Sequence, residues 1–145
     1  MPAIAKNSRA FYDYDIKDTF DAGLVLTGPE VKSVKNGNIS LTGSYVSVGP
    51  SGAHLINAHI GPYKYAPSEG YDPTHSRRLL LNKREINSLL GKEKGLTIIP
   101  LEVYVGRGGR LKLKIGLGRG RKKQDKRAYI KKRESLKEAR AATHK

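Results

Sequence analysis

The chain has 145 residues and a mass of 16.0 kDa, which suits one domain with an appendage. Its hydrophobic fraction of 37% is enough for a packed core and argues against wholesale disorder, and its net charge is +15. It contains no cysteine, which excludes disulfides, Cys-ligated metal centres and thiol nucleophiles. No apolar run approaches the roughly 20 residues of a membrane span, and the N-terminus lacks the apolar stretch of a secretory signal, so we expect a cytoplasmic protein.

The positive charge is concentrated at the C-terminal end of the chain. Residues 1–105 carry 12 basic and 10 acidic side chains, whereas residues 106–145 carry 16 basic and 3 acidic ones. A nearly neutral body with a basic extension favours a polyanionic partner, because each neutralised phosphate releases condensed counterions. Nucleic acid is the favoured interpretation; a solubilising tail and a tail that binds anionic lipid are the alternatives.

The first predicted strand spans residues 12–26, where apolar and polar side chains alternate with a period of two. A strand of this length needs a bend, and we expect it at Gly23. A helix of about two turns is predicted next, with Thr27 as its N-cap, Glu30 completing a capping box, and Asn36-Gly37 as its end. Such a short helix must pack on the sheet to be stable.

A hairpin and a long loop are predicted next. Strands at 44–48 and 54–60 flank the turn Gly49-Pro50-Ser51-Gly52. Interleaved prolines and glycines predict a loop at residues 61–76. Its tyrosines either pack the loop onto the body, which is the interpretation we favour, or stack on unpaired bases; they are Tyr63, Tyr65 and Tyr71.

Residues 77–90 are predicted as an extended segment followed by a helix. Three consecutive leucines, Leu79-Leu80-Leu81, cannot all face one core, so at least one of them is expected to meet another surface. Asn82 begins the capping pattern of the second helix, which ends at Gly91. The apolar side chains of this helix are expected to point inward: Ile86, Leu89 and Leu90.

Two further strands complete the predicted sheet. Alternation over residues 96–105 slips at Ile99-Pro100, which indicates a bulge, and Gly106–Gly109 forms the turn into a regular strand at 111–117. Several strands without strand–helix–strand repetition predict a mainly β protein. Its expected fold is a small antiparallel OB-like β-barrel with two or three short helices and a flexible basic C-terminal tail.

The tail comprises residues 119–145, after a barrel of residues 1–118. Asp125 is a possible cap for a helix that runs from Lys126 toward Ala142. Its few apolar side chains bury too little area to offset an ordering cost of roughly 1–2 kcal/mol per residue. We therefore predict a tail that is disordered in the free protein and helical in a phosphate-lined channel.

The sequence gives little support for catalysis, and we expect no enzyme, no cofactor and no metal. The glycine runs 106–109 and 116–120 do not match dinucleotide or P-loop spacing. The four histidines lack metal-ligand spacing with carboxylates. A nuclease or acid/base site on the first strand is weighed against a solvated strand face, which we favour because no nucleophile accompanies the carboxylates; these are Asp13, Asp15, Asp18 and Asp21.

Five segments, in order along almost the whole chain, have a distinctive pattern: Asn7, Asp21–Gly28, Glu30–Ser33, Leu79–Ile86 and Gly120–Arg127. Together they resemble the small protein B (SmpB) family, the tmRNA-binding or SsrA-binding proteins of bacterial trans-translation. The resemblance implies an OB-like barrel that grips the tRNA-like domain of tmRNA. It also implies delivery to the A site of a stalled ribosome, so that the nascent chain is tagged and the ribosome is rescued.

The resemblance also assigns partners and residues. The partners are tmRNA and the ribosome, especially the small-subunit decoding centre and the mRNA channel, which the tail enters and probes; we expect a monomer with no membrane partner. Asn7, Asp21 and Leu80 fall at RNA-binding positions, as an amide, a carboxylate and an apolar wedge, and Lys32 and Arg84 accompany them. The residues assigned to the ribosome are Gly120, Lys122, Lys123, Asp125, Lys126, Arg127, Lys131 and Arg133.

The chain departs from the family pattern at three places. Asp21 replaces the expected Glu, which shortens the reach of the carboxylate by one methylene, and Gln124 stands where many relatives have His. The last residues, 139–145, lack the large aliphatic side chains of some relatives. The main rival interpretation is a ribosomal or initiation-type OB protein that binds rRNA or mRNA generally, and it would bind unrelated RNAs equally well.

Overall fold

The computed structural model describes residues 3–143, and the side chains of residues 3–137. Nine strands and four α-helices are present in this part of the chain, together with a short 3₁₀ turn, Arg107–Gly109. In chain order the elements are β1 (Ala3–Lys6), α1 (Ala10–Asp13), β2 (Tyr14–Leu24), α2 (Gly28–Lys35), β3 (Ile39–Ser40), β4 (Tyr45–Gly49), β5 (Gly52–Ile56), β6 (His59–Ile60), β7 (Arg77–Leu80), α3 (Lys83–Leu90), β8 (Leu96–Val105), β9 (Leu111–Gly120) and α4 (Lys123–Thr143).

Seven of the strands form one antiparallel sheet in the order β1-β8-β9-β2-β7-β5-β4, and β3 pairs with β6 in a small separate sheet. The predicted mainly β, antiparallel architecture is confirmed. There are four α-helices in the described residues, rather than the two or three short ones expected, because α1 replaces the first residues of the predicted 12–26 strand and α4 occupies the tail.

The core lies between the inner face of the sheet and the two capped helices. Alternate side chains of β2, β8 and β9 point inward and are buried, for example Ala22, Val103 and Leu113. Val34 of α2 and Leu89 of α3 are fully buried against them. The period of two in the sequence therefore places one face of these strands in the core and leaves the other for contacts outside it. Near the register slips of β2 and β8, a second small cluster of Ala10, Ile99 and Leu101 is also buried.

Both capping boxes predicted from the sequence are confirmed. Thr27 and Glu30 form the first, and Asn82 and Glu85 form the second, each with side chain and backbone paired in both directions. These bonds satisfy amide groups that a helix start leaves without partners. Leu90 departs from the prediction, since 45% of it is exposed at the last position of α3.

The predicted bulge of β8 is confirmed, and the irregularity of β2 lies elsewhere than expected. Pairing of β8 with β9 slips between Pro100 and Glu102. In β2 the register slips between Ile16 and Asp18, at Lys17, and it is continuous through Gly23. Lys17 is the extra residue of this bulge. The side chains of β2 therefore alternate between the two faces of the sheet in opposite phase before and after Lys17.

The predicted 54–60 strand is wrong, because it is two strands. Asn57 has φ 67°, in the left-handed region that Asn tolerates better than most residues, and the chain turns there. β5 therefore stays in the main sheet, whereas β6 pairs with β3.

The C-terminal elements begin and end at different residues from those expected. β9 continues to Gly120, two residues beyond the predicted barrel, and α4 begins at Lys123 rather than Lys126. Asp125 is consequently in the first turn and accepts a hydrogen bond from the Lys122 amide at 3.3 Å, rather than preceding the helix as its cap. No helix within residues 3–143 is long and apolar enough to cross a lipid bilayer.

Candidate functional site

The outer face of the sheet carries two rows of residues across β2, β9 and β8, all of them polar except Gly23. Residues directly opposite each other in an antiparallel pair point to the same face. The rows are Asp21–Lys114–Glu102 and Gly23–Lys112–Tyr104. Carboxylates, ammonium groups and a phenol therefore share one surface, which we call the sheet face.

A hydrogen bond across the sheet face fixes the Asp21 carboxylate. The Tyr104 hydroxyl donates to Asp21 Oδ1 at 2.7 Å. Partial burial of the ring and this bond to the carboxylate raise the pKa of Tyr104 to about 12, so the phenol is a donor at neutral pH. Lys112, Lys114 and Arg107 line the same cleft. An oriented carboxylate among cations can accept hydrogen bonds from hydroxyl or amino groups of a polyanion that the cations attract.

Leu80 adds an exposed apolar side chain to the sheet face. It is 55% exposed, whereas the preceding Leu79 is 2% exposed, so the prediction that one of the three leucines lies outside the core is confirmed. Leu80 pairs with Gly23, which makes it a diagonal neighbour of Asp21 on the same surface. The structure therefore brings together two of the residues assigned by family resemblance, Asp21 and Leu80.

An apolar residue and a cationic residue, Val25 and Arg78, follow the Gly23–Leu80 pair on the same side of Leu80. The exposed Val25 follows β2, and its amide donates to the Arg78 carbonyl at 3.0 Å. Arg78 pairs with His54 on the next strand. An apolar centre with Lys and Arg around it is a combination suited to bases flanked by phosphates.

Asn7 has a structural partner that the sequence did not indicate. The side-chain Nδ2 of Asn7 donates to the Pro100 carbonyl at 3.0 Å, and the backbone N–H of Asn7 donates to the Leu101 carbonyl at 2.8 Å. Both bonds lie at the irregular part of β8, where the ladder with β9 slips. The side chain of Asn7 thus anchors the segment after β1 on the bulge.

Lys32 and Arg84 lie on helices rather than on the sheet face. Lys32, in α2, places its Nζ 5.5 Å from the centre of the Tyr63 ring. Arg84 is exposed in the first turn of α3, two residues after the N-cap Asn82. The three residues Lys32, Arg84 and Leu80 therefore come from three different elements.

Contacts with α1 hold the start of the tail. The Arg121 amide donates to the Asp13 carbonyl at 2.8 Å, and its Nε donates to the Phe11 carbonyl at 3.2 Å. Lys126 Nζ lies 3.4 Å from Asp13 Oδ1 and 5.3 Å from the centre of the Tyr12 ring. The first turn of α4 is thus attached to the body through Asp13.

Most of the tail residues assigned by resemblance are exposed. Gly120 ends β9 opposite Tyr14, and a Cβ added to it would meet no atom within 4 Å. Lys126 is half-buried by its contacts with α1. The exposed members are Lys122, Lys123, Asp125, Arg127, Lys131 and Arg133. The ammonium and guanidinium groups of the Lys and Arg residues in this set are available to phosphates.

The four carboxylates of the nuclease alternative have separate partners. Asp13 pairs with Lys126, Asp15 with Lys17 at 2.7 Å, and Asp21 with Tyr104; Asp18 accepts from the Thr19 amide at 2.9 Å. In the part of the chain that is described, no group of three or more His, Asp or Glu side chains could hold a metal ion. Each carboxylate thus makes its own contact, Asp13 on α1 and the other three on β2.

Sequence reasoning missed a buried network around Glu30. Arg77 donates from Nε and Nη2 to Glu30 Oε2 at 3.0 and 2.9 Å, and His75 Nε2 lies 2.8 Å from the same oxygen. Burial opposes ionisation, but bonds from the Thr27 amide, Arg77 and His75 outweigh it and lower the pKa of Glu30 to about 2. The network ties the 61–76 loop to α2. Only the capping spacing at Glu30 was visible in the sequence.

Comparisons with known proteins agree on one family. The model of the family described as SmpB protein matches residues 4–145. An SsrA-binding protein of Geobacillus kaustophilus (strain HTA426) is 44% identical over 137 residues, which cover 93% of this chain and 88% of the relative. An SsrA-binding protein of Coprothermobacter proteolyticus is 47% identical over 144 residues, covering 97% of this chain and 95% of the relative.

One solved structure is similar to this protein over most of the length of both chains. It is described as "tmRNA-SmpB: a journey to the center of the bacterial ribosome" and has 38% sequence identity and a TM-score of 0.66. The match covers 86% of this chain and 92% of the other.

Proposed function

Because the chain belongs to the SmpB protein family, we propose that it binds the tRNA-like domain of tmRNA and delivers it to the A site of stalled ribosomes. There it serves trans-translation: the nascent chain is tagged and the ribosome is released. This function does not call for chemistry by the protein, which acts by binding, and it takes place in the cytoplasm, where ribosomes translate. The general rRNA- or mRNA-binding alternative is not favoured, since relatives and structural match alike carry SmpB or SsrA-binding names.

The observation that carries the RNA-binding part is the sheet face. Leu80, 55% exposed, is a diagonal neighbour of the Asp21 carboxylate, which Tyr104 holds at 2.7 Å. We assign Leu80 to an apolar contact with bases and Asp21 to hydrogen bonds from ribose hydroxyls or base amines. Lys112 and Lys114 flank them on β9 and supply attraction to phosphates.

Lys32, Arg84 and Asn7 complete the proposed tmRNA surface in different ways. Lys32 and Arg84 would contact phosphates from α2 and α3. The side-chain amide of Asn7 already donates one hydrogen bond to the Pro100 carbonyl. We assign it a dual role, in which its second N–H and its carbonyl oxygen form hydrogen bonds with RNA. A variant of Asn7 is therefore expected to affect both the bulge of β8 and RNA binding.

We also propose that the main sheet curls into an OB-like barrel. β4 and β8 approach each other to within 8 Å between Cα atoms, although four strands lie between them in the order of the sheet. Such an approach is expected when the two sides of a sheet curve toward closure around one core.

We propose that the tail after Arg121, residues 122–145, is disordered in the free protein and helical in the empty mRNA channel of the ribosome. Residues 119 and 120 of the predicted tail belong to β9. The exposed Lys and Arg of the tail would bind rRNA phosphates along the channel, a space that mRNA occupies when translation is intact. The low apolar content of α4 supports this, because the helix gains little from burial.

The experiment separates the two parts of the protein. A truncation after Arg121 keeps β9 and the bonds of Arg121 to α1. It is expected to bind tmRNA with the selectivity of the full chain but to support no tagging on stalled ribosomes in a reconstituted translation system. A full-length control with residues 122–145 scrambled retains the charge and should also fail to tag. Loss of tmRNA selectivity in the truncation would contradict the proposed division.

Binding selectivity is measured at matched salt. The full chain competes for labelled tmRNA against unlabelled tmRNA and against an unrelated structured RNA of equal length. A purely electrostatic binder that made 6–10 phosphate contacts would lose roughly 10³–10⁵ in affinity between 50 and 200 mM salt and would not distinguish the competitors. Equal competition by both RNAs would support the general RNA-binding alternative instead.

A further inference from the structure

Four side chains of α2 and the 61–76 loop form a surface cluster that lies outside the sheet face. Lys32 Nζ is 5.5 Å from the centre of the Tyr63 ring, and Lys64 Nζ is 4.8 Å from the centre of the Tyr65 ring. The two rings meet edge to face, with centres 5.4 Å apart and planes at 70°. We call these four residues the tyrosine platform.

Tyr65 does not help to pack the loop. It is 74% exposed, the largest exposure among the exposed large hydrophobic side chains of the described residues. Tyr71 of the same loop is half-buried, and its hydroxyl lies 2.8 Å from the Ile60 carbonyl and 3.1 Å from Glu30. From the sequence we favoured packing over base stacking for the three loop tyrosines. Tyr71 does pack, whereas the prediction is wrong for Tyr65, which presents its ring to the surface.

The backbone beneath the platform is anchored at both ends. Ser33 Oγ donates to the Gly61 carbonyl at 2.7 Å, and the Gly61 amide donates to the Asn38 carbonyl at 3.1 Å. At the far end Arg77 donates to the Pro73 carbonyl at 2.8 Å and is itself paired with Glu30. An exposed ring on a loop held in this way loses little conformational freedom when a ligand stacks on it.

We infer that the tyrosine platform binds an unpaired base of the RNA partner, with the base on Tyr65 and its flanking phosphate at Lys64 and Lys32. This inference rests on the proposed function, since it adds a second contact to the tmRNA surface. Every base has a π-face, so an exposed tyrosine binds bases with little regard to sequence, and neighbouring ammonium groups follow the backbone. The Lys64 ammonium now over the ring makes an exposed cation–π contact that a base can replace.

RNA fits the platform better than an apolar protein surface does. Two ammonium groups flank the rings. An apolar protein surface that covered the rings would remove water from both charges without pairing them, which is unfavourable. A nucleotide instead offers an aromatic plane and an anion side by side, which matches the order of ring and cation along Tyr63, Lys64 and Tyr65.

The test uses the full chain and two RNAs. The probes are tmRNA and an unstructured RNA of about ten nucleotides with 2-aminopurine at its centre, whose fluorescence is quenched when the base stacks. Tyr65→Ala is expected to lower the affinity for tmRNA about 5-fold or more and to reduce the quenching. Tyr65→Phe keeps the stacking plane and should behave as the wild type. The matched control is Tyr45→Ala, since Tyr45 is also an exposed tyrosine, at 53%, and should leave both signals unchanged.

Each outcome decides between the two proposals. If the wild type prefers tmRNA over unrelated RNA while Tyr65→Ala binds tmRNA as tightly as Tyr45→Ala, the platform is overturned and the proposed function stands. If the wild type has no preference for tmRNA, the proposed function fails, and quenching alone then decides the platform: weaker quenching in Tyr65→Ala supports it and equal quenching overturns it. Thermal unfolding of each variant verifies that the exposed substitutions leave the fold intact.

Discussion

Gly23 of β2 lies directly opposite Leu80 of β7, and a Cβ added to Gly23 would stand 3.2 Å from Leu80 Cβ. The absence of a side chain at Gly23 thus leaves room for Leu80 to lie across β2 beside Asp21. The sequence suggested a bend at this glycine, but its role is this close approach of a neighbouring side chain.

Gly23→Ala is expected to displace Leu80 by a few tenths of an ångström and to weaken tmRNA binding several-fold. The free energy of unfolding should change by less than about 1 kcal/mol, because the strain is relieved at an exposed side chain. Gly49→Ala is the matched control, since a Cβ at that strand end meets no atom within 4 Å. Binding isotherms and urea unfolding measure the two effects, and equal affinities of the two variants would argue against the role of this contact.

Leu79 and Leu80 provide a second comparison, between neighbours on opposite faces of β7. Leu79→Ala removes a side chain that is 2% exposed, and it should destabilise the fold by about 2–5 kcal/mol. Leu80→Ala should cost less than about 1 kcal/mol of stability but lower the affinity for tmRNA, because more than half of the side chain is outside the core. Urea unfolding and tmRNA binding of both variants test this; a Leu80→Ala protein with unchanged affinity would remove Leu80 from the proposed surface.

Tyr104 gives a spectroscopic signature of the sheet face. The raised pKa of Tyr104, about 12, means that folding favours its neutral form. The resulting stability is complete below pH 10, the ordinary pKa of the phenol, and is lost as the pH rises from 10 to about 12. Ultraviolet titration of phenolate absorbance should show one transition near 12 that is missing in Tyr104→Phe and lower in Asp21→Asn. An unchanged titration curve in Tyr104→Phe would refute the assignment.

Glu30 should contribute to acid denaturation. Its lowered pKa, about 2 against an ordinary value of 4.5, gives stability that is present above pH 4.5 and is lost as the pH falls from 4.5 to about 2. Unfolding free energies measured at pH 6 and pH 3 should therefore differ more in the wild type than in Glu30→Gln.

The Glu30→Gln variant is also destabilised for a second reason. It leaves the buried Arg77 guanidinium, which is 1% exposed, without the carboxylate that neutralises it. We expect Glu30→Gln to lose about 3–5 kcal/mol of stability. The double variant Glu30→Gln with Arg77→Met removes both charges and should recover part of this loss. A double variant less stable than the single one would mean that the pair is not the source of the effect.

Local patterns predicted local structure well. The capping boxes at Thr27 and Asn82 follow from spacings of three residues, and the strand at 111–117 follows from strict alternation, so both were visible without knowledge of distant partners. The 54–60 strand was wrong because a single residue, Asn57, adopts a left-handed conformation that alternation does not encode.

Long-range partners could not be predicted from the sequence. Tyr104 lies 83 residues from Asp21, and Arg77 lies 47 residues from Glu30. Each contact depends on the strand order of the sheet, which no local pattern specifies. The family resemblance drew attention to Asp21 and Leu80 one by one, whereas their placement on one surface depends on the pairing of β2 with β7.

The order of the strands has a consequence for how the chain folds during synthesis. β1 and β2 leave the ribosome first, yet they pair with β8 and β9, which are made last. At about 5–20 residues per second, the early strands wait several seconds for their partners. The pairings of β4 with β5, β3 with β6 and β5 with β7 can form in the meantime. A protein with so many distant pairings is expected to fold slowly and mostly after residue 120 has been synthesised.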